Sequence, residues 1–280
     1  MKKLLKLENT KNFLFVYWHL TDFCNFKCSY CSPVHNEGYF SIKNTSFTPT
    51  NDTIKNFLKQ LTTATKDKEL YLSLSGGEPT LHPMIREIIN ECYDKSNVEI
   101  ITNGSRSLNW WKSLENLPHL IRISLHPEFT DIEKINTLAS YILETKSILR
   151  FNLSMDPENW DQSIRLYNHL DPSLRKFVRP KTLHELSVKQ KPLKKYEPYQ
   201  LDWIKQTFTH TVDNGQDTDI LQYTKAEYDN GETGKLDFVH TAIHDHMYYN
   251  WRCSAGSSSI SINTIGQIHA GLCKQKQIGT

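Results

Sequence analysis

Three of the chain's six cysteines fall in one short stretch, "HLTDFCNFKCSYC", as Cys24-x3-Cys28-x2-Cys31, with Tyr30 immediately before the last. Thiols crowded in this way hold metal or do chemistry more often than they form bridges when the surroundings keep them reduced. A structural zinc site wants four closed ligands, usually as two separated pairs. This loop supplies three in an asymmetric spacing, and His35 is the nearest residue that could complete a Cys3His zinc set. Three thiolates also suit a [4Fe–4S] cluster, where they leave one iron without a protein ligand. An open metal position is the mark of a catalytic rather than a structural site.

Two further motifs stand behind that loop. "SGGEPTLHP", Ser75 to Pro83, puts two glycines beside a carboxylate, a combination that lets backbone approach a ligand and suits a cationic amine. "TNG" follows at Thr102 to Gly104. Taken together, Cys24, Cys28, Tyr30 and Cys31 followed by Gly76-Gly77-Glu78-Pro79 resemble the radical S-adenosylmethionine (radical SAM) enzymes. That family carries Cys-x3-Cys-x-aromatic-Cys after the first strand of a partial (β/α)6 barrel.

The resemblance implies a set of roles. Cys24, Cys28 and Cys31 would bind a [4Fe–4S] cluster whose open iron chelates SAM. An electron from the cluster would cleave the sulfonium bond, and the resulting 5′-deoxyadenosyl radical would abstract a substrate hydrogen. Tyr30 would lie near the adenine, and Gly76, Gly77 and Glu78 would hold the SAM ammonium. Thr102 and Asn103 would join the SAM pocket, with Thr102 near the carboxylate. Ser124 would meet the ribose or carboxylate and His126 would face the cavity. Asn152, Ser154 and Met155 would lie near the adenosine. Arg179, in "VRPK", would meet a carboxylate or phosphate or belong to a basic loop.

Cys253 and Cys273 bracket "SAGSSSISINTIGQIHAGL", a hairpin pattern in which "SSISI" and "QIHAGLC" flank the turn-like "NTIG". This region is similar to the SPASM or twitch region of radical SAM enzymes, which implies a second, auxiliary [4Fe–4S] cluster. The glycine-to-cysteine spacing is longer than the family's common one, and no cysteine follows Cys273. Either further ligands lie elsewhere, or the cluster is held incompletely, or two free thiols face each other across the hairpin. Cys92 falls on a helical pattern and reads as a buried apolar residue. His240, His244 and His246 read as ordinary polar or core histidines.

The elements that must position these residues are legible as two alternating periodicities. β-rich runs occur at 13–20, 69–75, 98–104, 121–126, 148–155 and 176–180, and helical patterns lie between most of them. Strand–helix alternation implies βαβ units and a parallel sheet. Six strands are too few for an eight-stranded closed barrel. The expectation is therefore an α/β fold: a partial (β/α)6 TIM-like barrel over 1–180, a linker and mixed segment over 181–250, and a small twitch-like region over 251–280. Ligands of parallel sheets collect at the carboxyl ends of the strands, where the motifs above fall.

The longest apolar runs, such as "FLFVYW", are far too short to span a bilayer, and the N-terminus lacks a signal-peptide pattern, so a cytoplasmic location is expected. A net charge of +2 offers no global case for nucleic acid. The local run from Arg175 to Lys195, with Glu185 its one acid, reads as a solvated face, or else as a docking surface for an anionic substrate such as RNA. The expected partners are a small-molecule or peptide substrate and a reductase, flavodoxin or ferredoxin as electron donor. The rival class is a zinc-ribbon-like interaction module built on the same three cysteines.

Overall fold

The computed structural model describes residues 4–9, 12–31, 50–184, 194–209, 224–235, 255–271 and 276–279. His35, Glu185, Lys189, Lys191, the three histidines at 240–246, Cys253 and Cys273 lie outside the described residues. In chain order the elements are β1 (Leu4–Asn9), β2 (Phe13–Thr21), α1 (Asn51–Ala64), β3 (Glu69–Gly76), α2 (Ile85–Tyr93), β4 (Asn97–Thr102), α3 (Leu108–Lys112), β5 (Leu120–Leu125), α4 (Ile132–Leu143), β6 (Ile148–Met155), α5 (Trp160–His169), β7 (Val178–Thr182), α6 (Pro198–Thr209), β8 (Thr224–Tyr228), β9 (Thr233–Lys235), β10 (Ser259–Ile262), β11 (Ile268–Ala270) and β12 (Gln277–Gly279).

Strands β2 to β7 lie side by side in sequence order, every neighbouring pair parallel. Three of the helices between them, α1, α3 and α4, start on side-chain caps. Thr50 accepts from the Thr53 N–H at 3.2 Å ahead of α1, and Asp131 accepts from the Lys134 N–H at 3.3 Å ahead of α4. α1 then buries Ile54, Leu58 and Leu61, the one-face spacing of an amphipathic helix.

Alternation along the strands divides the side chains into two sets. Val16, Trp18, Leu72, Leu74, Val98, Ile100, Ile121, Ile123, Phe151 and Leu153 pack into one continuous core with the helices. The intervening residues point the other way because successive side chains leave a strand on opposite faces. The register aligns them across the sheet: Tyr17 with Ser73, Ser73 with Glu99, Arg122 with Arg150, Ser124 with Asn152, Asn152 with Arg179, and Ser154 with Lys181. This second face is polar and forms the concave inside of an open barrel. Above it the loops converge: Tyr30, in the loop after β2, hydrogen-bonds His126, after β5, at 3.0 Å.

The remaining strands extend this parallel run beyond β2 or lie in a second sheet. β1 pairs antiparallel with β8, and β8 with β9, in a separate three-stranded sheet that joins the chain's start to its later portion. The hairpin of β10 and β11 continues the barrel sheet: β10 lies parallel to β2, and β11 and β12 follow antiparallel. Two local differences also appear. α3 covers only Leu108–Lys112, and the run expected as a strand from 176 begins at Val178 because a 3₁₀ turn starting at Pro172 occupies Pro172–Phe177. Among the described residues, no helix is long and apolar enough to cross a membrane.

Candidate functional site

The cysteine loop leaves the carboxyl end of β2 and is held by the loops after β3, β4 and β5. Gly77 and Glu78 fasten it from below: the Gly77 N–H donates to the Thr21 carbonyl at 2.6 Å and the Glu78 N–H to the Phe23 carbonyl at 2.8 Å. The glycines are required by this approach. Gly76 has φ +145°, and a Cβ there would overlap the Thr21 backbone; one on Gly77 would sit 2.6 Å from the Phe23 carbonyl carbon.

Within the loop, Cys28 is buried and Cys24 and Cys31 are half-buried. The Phe26 N–H donates to Cys24 Sγ at 3.3 Å, and the Cys31 N–H to the Cys28 carbonyl at 3.0 Å. Asn103 reaches in from the loop after β4. Its side-chain amide donates to Asn25 Oδ1 at 2.9 Å and lies 3.8 Å from Cys24 Sγ. Burial pushes the Cys24 thiol up to about 11 and the Cys28 thiol up to about 12, and in both Cys31 adds to the rise by its charge. The three thiols are thus electrostatic neighbours. Among the described residues, no three Cys, His, Asp or Glu side chains are drawn together closely enough to hold a metal ion as they stand. The donor chemistry fits an iron–sulfur cluster better than a hard cation: three sulfurs on one loop, one of them accepting an N–H bond.

The carboxylate of Glu78 is tied into the surrounding loops. It is fully buried and accepts from Thr80 N–H at 3.0 Å, Thr80 Oγ1 at 2.6 Å, Thr102 Oγ1 at 2.7 Å and Asn103 N–H at 2.6 Å. Desolvation raises its pKa, and these four donors work against that rise. Glu78 thereby braces the loops after β3 and β4, with Oε1 taking three of these bonds and Oε2 one. Thr102 is engaged likewise, donating to Glu78 and accepting from the Gly104 N–H at 3.1 Å.

Across the mouth, Tyr30 and His126 stack with ring centroids 6.0 Å apart and planes 18° apart. Phe26 meets His126 edge-on and stacks on Phe129 at 5.4 Å. Burial and the Lys181 charge push His126 down to about 4, so its ring is neutral at neutral pH. Burial holds the Tyr30 phenol far above its ordinary value, Cys28 adding to the effect while a bond with the Ser154 hydroxyl opposes it. Glu128 accepts from the Ser29 N–H at 3.0 Å and from its hydroxyl. At the other edge, Asp22 bonds His19 at 3.0 Å and accepts from Thr264, in the β10–β11 turn, at 3.2 Å.

The structure therefore brings Cys24, Cys28, Cys31, Tyr30, Asn103 and His126 together at the barrel mouth, with Ser124, Asn152, Ser154 and Arg179 on the concave face beneath. Met155, expected near the adenosine, has a different setting. It is fully buried in the core against the helices, because it follows Ser154 and so lies on the opposite face. Cys92 is fully buried in α2, as expected. The basic run from Arg175 is in part internal structure. Arg175 donates to the Leu170 and Asn168 carbonyls that end α5, and Lys194 pairs with buried Asp156 at 3.1 Å. Sequence reasoning missed Asn25, Glu99, Arg122 and Arg150, and named Lys181 only within the basic run. Glu99, Arg122, Arg150 and Lys181 stand at alternate positions on their strands, and that alternation was the available signal.

Comparisons with known proteins agree with this geometry. The family model of the radical SAM superfamily matches residues 18–167. No curated protein matches the chain. Among solved structures, SuiB of Streptococcus suis bound to S-adenosylmethionine is similar with a TM-score of 0.61 at 17% identity, over 96% of this chain and 63% of that one. SuiB bound to the precursor peptide SuiA gives 0.60 at 17% identity, over 97% and 63%. Native anSMEcpe with bound AdoMet gives 0.51 at 16% identity, over 70% and 60%. At such identities the likeness is one of fold, and the chain spans 63% of the length of SuiB. The family model, by contrast, matches more than half of the chain and includes the cysteine loop, the two-glycine crossing and the polar concave strands. The chain belongs to the radical SAM superfamily.

Proposed function

We propose that this protein is a radical SAM enzyme acting on a peptide. Cys24, Cys28 and Cys31 would hold a [4Fe–4S] cluster, and the residues gathered around them at the barrel mouth would bind SAM. When bound, the cluster supplies the electron that reductively cleaves SAM, yielding a 5′-deoxyadenosyl radical that removes a substrate hydrogen. The chain's own residues bind, orient and exclude water. Gly76 and Gly77 bring backbone within reach of the ligand, Glu78 fixes Thr102 and Asn103, and Asn103 steadies Cys24. Tyr30 and neutral His126 present apolar ring faces to the adenosine.

The observation that carries this reading is the Cys24-x3-Cys28-x2-Cys31 loop at the carboxyl mouth of six parallel strands, inside the segment matched by the family. The peptide substrate rests on SuiB, whose fold is similar and which binds a precursor peptide. Cys253 and Cys273 are proposed ligands of an auxiliary cluster, and a flavodoxin, ferredoxin or reductase the proposed electron donor.

Anaerobic reconstitution tests the reading. A brown protein that forms 5′-deoxyadenosine from SAM under dithionite, with both properties lost in Cys28→Ala, is the expected result. A colourless zinc protein refutes it in favour of an interaction module. Equal iron counts in the wild type and a Cys253→Ala/Cys273→Ala double variant dispose of the second cluster.

A further inference from the structure

Along the cysteine loop, exposure alternates residue by residue. Asn25, Lys27 and Ser29 are exposed, whereas Cys24, Phe26 and Tyr30 are half-buried and Cys28 is buried. Lys27 and Ser29 flank Cys28 directly in the chain, so one run of backbone separates these exposed side chains from a thiol. Phe129, from the loop after β5, is 42% exposed and stacks on Phe26, whose N–H donates to Cys24 Sγ at 3.3 Å. A solvent-facing ring thus lies two contacts away from a cluster-binding sulfur.

The same surface continues across the loop after β4. The Ser105 hydroxyl donates to Asn25 Oδ1 at 3.4 Å, and Arg106 follows Ser105. Arg106 donates twice to the Thr80 carbonyl, at 3.0 and 3.1 Å, and lies over the Trp110 ring at 5.4 Å. Arg86 lies over the same residue at 5.2 Å and donates to the Ser113 carbonyl and hydroxyl, both at 2.8 Å. Thr80 in turn bonds Glu78, Glu78 bonds Asn103, and the Asn103 amide lies 3.8 Å from Cys24 Sγ. A chain of polar contacts therefore runs from the arginine–tryptophan stack to the cysteine loop. Of the described acids nearby, Glu128 accepts from the Ser29 N–H, Glu115 accepts from the Asn90 amide at 2.8 Å, and Glu87 has one carboxylate oxygen out of solvent.

These features suit one kind of partner. Electron transfer falls off steeply with distance, so a carrier must dock where the cluster site is nearest to solvent. Aromatic and arginine side chains are favoured contact residues. Redox encounters are small, under about 1,200 Å², so a strip of a few side chains suffices. Lys27, Arg86 and Arg106 set the sign: they attract an acidic surface and steer its approach.

We infer that the strip running from Phe129 and Lys27 to Arg106, Trp110 and Arg86 is the docking surface for an acidic one-electron carrier protein of the flavodoxin type. This assignment rests on the radical SAM reading above and names its redox partner. In the docked pair the flavin is oxidised from anionic hydroquinone to neutral semiquinone. The one electron released reduces the cluster at Cys24, Cys28 and Cys31, and no bond between the partners forms or breaks.

The test is titration of the reconstituted protein with an acidic flavodoxin at low and at physiological ionic strength. Anaerobic stopped-flow then follows bleaching of the cluster's visible absorbance, driven by flavodoxin hydroquinone or by dithionite. Binding should weaken several-fold as salt rises. Lys27→Glu and Arg86→Glu should each weaken it about tenfold and slow flavodoxin-driven bleaching by a similar factor. Dithionite, being small, should reduce both variants at the wild-type rate, with iron content and SAM affinity unchanged. Lys66→Glu, an exposed position ahead of β3 at the opposite end of the barrel, should behave as the wild type.

Flavodoxin binding indifferent to both charge reversals overturns the inference. So does an equal loss in Lys66→Glu, which would make the attraction one of overall charge, or an equal slowing with dithionite. Should Lys27→Glu lose iron, Arg86→Glu, outside the cysteine loop, decides alone. A wild type that cleaves SAM with dithionite but has no affinity for flavodoxin sinks the docking surface alone. A protein that takes up no iron sinks the radical SAM reading, and flavodoxin binding to the cluster-free chain then decides the surface.

Discussion

The backbone N–H of Asn103 donates to the carboxylate of Glu78 at 2.6 Å, joining the loops after β4 and β3 beneath the cysteine loop. Because the Asn103 side chain goes on to Asn25 and Cys24, one buried carboxylate sets the position of three loops. In Glu78→Gln an amide N–H would face donors instead of accepting from them. Hydrogen bonds to a charged group are each worth about 1.5–3 kcal/mol, so the variant should lose roughly 2–3 kcal/mol. Urea unfolding measures it. Unchanged stability with weakened SAM binding would instead assign Glu78 to direct contact with the ammonium.

Gly77→Ala should damage the cysteine loop more than the barrel. Its new methyl meets backbone of Phe23, which has no flexible end to yield. Overpacking of this kind costs about 1–3 kcal/mol, and here the displacement falls on the segment leading to Cys24. Iron content after reconstitution should fall while far-UV circular dichroism stays near wild type.

His126 gives the protein an acid limit. Its folded pKa is about 4 against 6.5 for the free ring, so between those values the unfolded chain binds the extra proton. Stability from this residue is therefore fully present above pH 6.5 and is lost as pH falls towards 4, by at most about 3 kcal/mol. His126→Gln should flatten this limb of the stability–pH curve. Parallel curves would show that the ring is not the group responsible.

Lys194→Met should destabilise the chain by about 3 kcal/mol, because Asp156, 2% exposed, would lose its cationic partner. A variant of full stability in urea unfolding would return Lys194 to a solvated face.

The barrel strands were legible because each carries its own alternation of apolar and polar residues between helical repeats. The short strands β1, β8 and β9 were not, since "LLKLEN" and "TKAEY" gain their structure from each other across more than two hundred residues. At the site, residue types were readable but directions only partly so. Ser154 and Met155 were assigned together, although neighbours on a strand face opposite ways. The bonds that hold Glu78 were not legible, since Thr102 and Asn103 lie over twenty residues downstream, beyond any local pattern.

The placement of β10 against β2 has a consequence for biogenesis. Strand β2, which leads into the cysteine loop, is made long before residues 259–262, which pair with its outer edge. Until those are synthesised the edge remains a bare row of amides and carbonyls, open to pairing with another chain. Residues 259–262 thus serve as a seal, and a nascent chain stalled between β2 and β10 should depend on chaperones more than one that has passed β10.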